Sequence, residues 1–196
     1  MPRNQAKLPN TYAFIDSQNL NLGTQRMGWK LDWRKFRRYL ADKHGVTKAY
    51  MFIGYMSENE QLYEYMHELG YLVVLKPTVD ISSSHEAAAK TGDDKDNKDK
   101  DKEKSVVKGN VDTELVLYAM KELPNYSQAI IVSGDGDFFS LGEYLQEKGK
   151  LAYILTPNWQ YSSLLKAFDS KIIRLDQLRR QLAYHDRKKK AKSGGQ

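Results

Sequence analysis

The sequence predicts an α/β fold, with a central parallel sheet of about five to six strands and helices on both faces. Three observations point there. Short apolar runs rich in β-branched and aromatic residues recur along the chain. Most are nearly continuous in apolar character, as strands buried on both faces read. Segments with helical spacing lie between them, and strands alternating with helices argue for parallel βαβ units. The chain has 196 residues and no cysteine, and a chain of that size can bury a core without a disulfide or a structural metal.

The strand candidates are residues 12–15, 49–53, 72–75, 129–132, 151–155 and 172–173. Trp33, Phe36, Arg37 and Leu40 share one side of a first helix, and Leu62, Tyr65, Met66 and Leu69 mark another. A third helix places Leu115, Val116, Ala119, Met120 and Leu123 along one face. Further helices are expected at 138–148, 161–168 and 175–184. Right-handed crossovers would set these helices on both sides of the sheet.

Two segments depart from this pattern. From Asp93 to Lys104 there are six acids, five lysines and one asparagine. Such a run has no apolar face to bury, so residues of about 80–107 are expected to be a disordered insertion. A solvated helix held by Lys–acid pairs is the alternative. The second departure is the basic tail, 181–196. Arg179 and Arg180 lead into it, and Arg187, Lys188, Lys189, Lys190 and Lys192 stand against one acid, Asp186. The expected organisation is a flexible polar stretch at 1–10, one domain over 11–180, and that tail.

Charge and composition exclude several functions. The net charge is +6 and the pI about 9.2, a balance that suits either a phosphate polymer or plain solubility. Without cysteine there are no thiolate zinc sites, iron–sulfur clusters or cysteine nucleophiles. No apolar run approaches the ~20 residues that span a membrane, and the polar start lacks a secretory signal. The expectation is a cytoplasmic protein with no membrane partner. No Gly-x-Gly-x-x-Gly follows the first strand and no Walker-A loop is present, which disfavours a nucleotide cofactor.

The acids carry the chemistry. Asp16 directly follows the first strand, in Phe14-Ile15-Asp16-Ser17-Gln18-Asn19-Leu20. Asp135 and Asp137 follow the fourth, in Ser133-Gly134-Asp135-Gly136-Asp137-Phe138. In an open parallel sheet, ligands bind beyond the carboxyl ends of the strands. Asp112 falls near the start of the third helix, on the face of Leu115 and Val116. Each acid also has an ordinary role open to it, Asp16 capping a turn, Asp112 as a helix N-cap, Asp135 and Asp137 in an Asx turn. Converging carboxylates repel one another, and a cation relieves that repulsion. Hard oxygen ligands suit Mg²⁺ or Mn²⁺.

These segments, together with Lys108-Gly109-x-x-Asp112, resemble the three signature motifs of NYN domains. NYN domains are relatives of the PIN-domain nucleases and include the LabA-like bacterial proteins. The resemblance runs from about Tyr12 to Leu178, apart from the charged insertion, and the Ser-Gly-Asp-Gly-Asp-Phe run is its most specific part. It implies a Rossmann-like PIN fold and metal-dependent RNA cleavage, with Asp16, Asp112, Asp135 and Asp137 as the catalytic, metal-binding acids. It implies that Asn19 helps orient metal or substrate, and that Ser133 is a small polar neighbour of the third motif. Gln18 stands where many members carry Ser or Gly.

The expected function is therefore a Mg²⁺- or Mn²⁺-dependent endoribonuclease acting on single-stranded or structured RNA. The alternative is a catalytically weak or inactive PIN-like module that binds RNA or regulates. Lys108 is a candidate phosphate contact. Among Trp29, Trp33, Tyr55, Trp159 and Tyr161, Trp159 is the best candidate base platform, because it follows the fifth strand at the binding edge. The helix around Leu62 and Leu69 is a candidate homodimer face, or equally part of the core.

Overall fold

The computed structural model describes residues 10–54, 57–76 and 111–185. Six strands form one parallel sheet. They are β1 (Thr11–Asp16), β2 (Val46–Gly54), β3 (Leu72–Lys76), β4 (Gln128–Val132), β5 (Leu151–Thr156) and β6 (Ile172–Arg174). Their spatial order is β3-β2-β1-β4-β5-β6. The chain moves outward from β1 through β2 to β3, then returns to the other side of β1 and moves outward again. The order therefore reverses between β1 and β4, and loops leaving those two strands diverge to opposite faces.

The helices are α1 (Ser17–Arg26), α2 (Trp33–His44), α3 (Glu60–Glu68), α4 (Val111–Lys121), α5 (Phe139–Glu147) and the short α6 (Arg179–Leu182). Alternate strand residues feed two cores, as the pleat requires. Ala13 and Ile15 of β1 face one core with Leu20, Phe36, Leu40, Met66 and Leu182, so α1, α2, α3 and α6 cover that face. Tyr12 and Phe14 face the other with Leu115, Ala119, Leu141 and Leu145, so α4 and α5 cover that one. Phe14 stacks on Tyr50 at 5.6 Å and 4°, and both pack near Tyr126. Truncating a fully buried phenylalanine of this kind typically costs about 3–5 kcal/mol.

Local signals set the helix ends. Asp32 caps α2 by accepting from the Lys35 amide, and Gly45 ends it in the left-handed conformation at φ 62°. Asp16 caps α1 in the same way, through the Asn19 amide.

Several expectations on the helices need correction. α1 follows β1 directly, although its polar sequence gave no periodic signal. In α3, Tyr63 and Met66 are buried while Leu62 and Tyr65 point outward at 42% and 40% exposure. The helix is rotated from the expected face, because an i,i+3 pair of Tyr63 and Met66 fits the same spacing. In α2, Phe36, Tyr39 and Leu40 are buried. Arg37 instead lays its guanidinium over the Gly70 carbonyl at 3.0 Å. In α4, Leu115 and Ala119 are buried while Met120 is exposed. The helices expected at 161–168 and 175–184 are largely 3₁₀, over Ser163–Lys171 and Leu175–Leu178, before α6. Leu182 and Ala183 are buried in the core, and Ala183 bridges to Leu31, so the packed body includes them. The insertion expected at 80–107, Lys108, Tyr55 and most of the terminal stretches lie outside the described residues. No helix among the described residues is long and apolar enough to cross a membrane.

Candidate active site at the β1–β4 switch point

Strand register places the central pair of side chains. Ile15 of β1 is paired with Val132 of β4. The next residue on each strand is Asp16 and Ser133, so the two face each other across the point where the strand order reverses. The Ser133 hydroxyl donates to Asp16 Oδ2 at 3.1 Å. Asp16 Oδ1 accepts from the Asn19 amide at 3.0 Å, at the amino end of α1. Both residues are buried, Asp16 at 6% exposure and Ser133 at 1%. A carboxylate so deeply placed must be compensated, and the hydroxyl, the amide and the positive end of α1 all contribute.

The chain of contacts continues outward. Ser133 Oγ accepts from the Asp135 amide at 3.1 Å, and Asp135 Oδ1 accepts from the Asp137 amide, also at 3.1 Å. Asp135 thus caps a 3₁₀ turn over Gly136–Phe138. That turn is anchored by Phe138, which is buried, and leaves Asp137 exposed. The Asp137 carboxylate meets no hydrogen-bond or ion-pair partner among the described residues. Asn19 ties the two loops together, because its carboxamide oxygen accepts from the Gly134 amide at 2.9 Å. Gly136 is tightly enclosed, since a Cβ there would press on the Ser162 hydroxyl and stand 3.1 Å from Ser162 Cβ.

Asp16 is a helix cap and Asp135 forms an Asx turn, yet the same contacts gather Asp16, Asn19, Ser133, Asp135 and Asp137 at one sheet edge. Asp112 sits half-buried in the first turn of α4. That helix packs on β1, β2 and the 136–138 turn, which brings Asp112 to the same end of the sheet. Trp159 follows β5 and is 57% exposed, while Trp29 is core and Trp33 packs edge-on to Tyr71 at 6.2 Å.

Asn158 is a site residue that sequence reasoning missed. It is 5% exposed, donates to the Gly23 carbonyl at 2.8 Å and accepts from the Gln160 amide at 2.7 Å. It fixes the loop carrying Trp159 onto α1. Only its position after a Thr-Pro strand end could have drawn attention to it.

With this geometry in view, comparison with known proteins is decisive. The NYN domain family profile matches residues 10–176. The chain belongs to the NYN domain family. It is thus a PIN-like, nuclease-type domain. A curated relative is the low amplitude and bright protein LabA of Synechococcus elongatus. It is 24% identical over 173 residues, which cover 85% of this chain and 83% of LabA. A solved structure from Vibrio parahaemolyticus, described as a protein of unknown function, superposes with a TM-score of 0.63 at 21% identity. The match covers 92% of this chain and 99% of that one, and it shows the fold.

The donor set of this NYN domain is all hard oxygen, the chemistry that Mg²⁺ and Mn²⁺ select. No group of three or more acid or histidine side chains among the described residues stands ready to enclose an ion. Mg²⁺ is commonly held by one or two carboxylates while it keeps several waters. The Asp16–Ser133–Asp135 arrangement fits that mode and does not fit a closed protein cage.

Proposed function

We propose that this NYN domain is a divalent-metal-dependent endoribonuclease that hydrolyses phosphodiester bonds of single-stranded or structured RNA. The observation that carries the reading is the register-fixed line from Asp16 through Ser133 to Asp135 at the switch point. It joins the buried Asp16 carboxylate and the Asp135 backbone amide to one hydroxyl, which fixes the two acids at the same edge. Simple loop geometry explains each cap separately but gives no reason to bury an acid at the edge where ligands bind.

In this reading Asp16 and Asp135 hold Mg²⁺ or Mn²⁺, with Asp112 and Asp137 completing the acidic rim. The metal supplies charge neutralisation at the phosphoryl oxygens and a more acidic water. The residues do the rest. Ser133 keeps the Asp16 carboxylate oriented through its hydroxyl. Asn19 holds the β1 and β4 loops at a fixed separation, so the acids need no rearrangement as charge develops. Asp137 is exposed on its turn, where it can accept a proton from the attacking water. Trp159 offers an exposed face to an unpaired base, and such stacking contributes about 1–3 kcal/mol per base. Lys108, four residues before Asp112 in sequence, is assigned to a backbone phosphate.

A second reading is an RNA-binding or regulatory module without turnover. Both oxygens of the Asp16 carboxylate already accept hydrogen bonds, from the Ser133 hydroxyl and the Asn19 amide, which favours it. A time course with labelled single-stranded RNA and Mg²⁺, Mn²⁺ or EDTA separates the two. Metal-dependent cleavage lost in Asp16→Asn supports the nuclease, and binding without cleavage under either metal supports the module.

A further inference from the structure

A small cleft of about 100 Å³ opens beside the acids, at the carboxyl ends of β1, β4 and β5. One wall is α1, which presents Asn19, Gly23 and Arg26 at the spacing of a single helix face. The other wall is the loop of Pro157, Asn158 and Gln160, and the Gly134 backbone lies between. The walls are fixed to each other. Gly23 lets the loop close, since a Cβ there would stand 2.4 Å from Pro157 Cβ, and Asn158 bonds the Gly23 carbonyl.

The cleft has one sign of charge. No acid lines it. Arg26 is exposed at the end of α1 and forms no ion pair among the described residues, where the paired cations are Lys35, Lys48, Lys76 and Arg174. The carboxamide oxygen of Asn19 is taken by the Gly134 amide, and its NH₂ group meets no partner among the described residues. Two donors thus face a rigid space at whose inner edge the carboxylates begin. The space is well below the ~300 Å³ of a small-molecule pocket, but it suits one charged group of a longer chain. Seven residues at ~1.5 Å each set Arg26 about 10 Å along the helix from Asn19. The Arg26 backbone thus stands nearly two turns from Asn19, on the side of the cleft away from Asp16.

We propose that this cleft is a subsite for the backbone phosphate flanking the one that is cut, with Arg26 as its anchor. The inference rests on the ribonuclease reading for its substrate class, and it makes the Arg26 contact positional. A guanidinium at this place grips phosphate through paired N–H donors. It sets which linkage of the RNA reaches Asp16.

The test is binding of a labelled single-stranded RNA oligomer to the full chain in EDTA, followed by fluorescence anisotropy over a salt series. Arg26→Ala is expected to weaken binding about tenfold and to lower the log–log salt slope by about one. Arg26→Lys keeps the charge and is expected to restore the slope. Lys148→Ala, at the opposite end of the sheet, is expected to bind like wild type. A scan of single neutral methylphosphonate linkages then locates the contact. Wild type loses affinity at one linkage near the cut, and Arg26→Ala is insensitive at that linkage alone. The proposal is overturned if Arg26→Ala binds like wild type, if every linkage responds alike, or if no RNA binds. RNA that binds through Arg26 but is never cut under Mg²⁺ or Mn²⁺ keeps the phosphate subsite and removes the ribonuclease reading. RNA that is cut with Arg26 indifferent does the reverse.

Discussion

Thr156 closes β5 with its side chain fully buried, and its hydroxyl meets no hydrogen-bond partner among the described residues. An unpaired buried hydroxyl costs about 1–3 kcal/mol, and an apolar group of the same shape removes that cost. Thr156→Val is expected to raise stability by about 1 kcal/mol, and with it the thermal midpoint by about 2–4 °C. A lowered midpoint would show that the hydroxyl is needed. His44 gives a prediction in pH. Its ring lies 5.1 Å from both Tyr39 and Tyr153, edge-on, with Nε2 3.1 Å from the Tyr39 hydroxyl. Burial first, and Lys43 second, hold its imidazole below the ordinary histidine range. The unfolded ring takes up a proton at about pH 6.5, before the folded one does. The His44 contribution is therefore complete above about pH 6.5 and is lost as pH falls through the lowered folded value. His44→Gln is expected to lose less stability than wild type between about pH 7.5 and pH 5. Equal losses in urea titrations at both ends of that range contradict this.

At the scale of elements, α1 is both the least legible piece and the one that builds the site. Its sequence, Ser17 to Arg26, offers Leu20 and Leu22 as its only large apolar residues, and Leu22 is exposed. No periodicity survives in so polar a segment, and the helix forms because Asp16 caps it and Leu20 reaches the core. Gly23 then brings it against Pro157. Gly23→Ala is expected to destabilise the domain by about 1–3 kcal/mol through overpacking, seen as a lower urea midpoint. An unchanged midpoint would mean that the β5 loop yields freely. The strands, by contrast, are legible throughout, because each carries a run of apolar residues; β1 and β4 are buried along their length, while the edge strands β3 and β6 are only partly covered. α3 shows where periodicity stops. Spacing gives a helix but not its rotation, and beside the edge strand β3 either apolar pair could have turned inward. The 3₁₀ stretches after β5 were read as helices because short turns share the i,i+3 pattern.

At the scale of the whole molecule, the order β3-β2-β1-β4-β5-β6 makes β1 and β4 neighbours, though more than 110 residues separate them in sequence. Asp16, Asp135 and Asp137 could be placed at the sheet edge from sequence because Asp16 ends one apolar run and the other two lie in the loop that leaves another. The Asp16–Ser133 bond could not be read, since it depends on the β1–β4 register. Asn158 and Arg26 were invisible for a similar reason, as their roles arise only when the β5 loop meets α1. In the proposed ribonuclease, Asp16 and Asp135 act as one catalytic unit. The most direct test compares kcat/KM on a labelled RNA, in Mg²⁺ or Mn²⁺, for wild type, Asp16→Asn, Asp135→Asn and the double variant. Groups acting as a unit are strongly non-additive. Each single variant should lose nearly all metal-dependent cleavage, and the double variant should be no worse than the worse single one. Metal-dependent cleavage that survives in Asp16→Asn, or losses that simply add, would contradict the account.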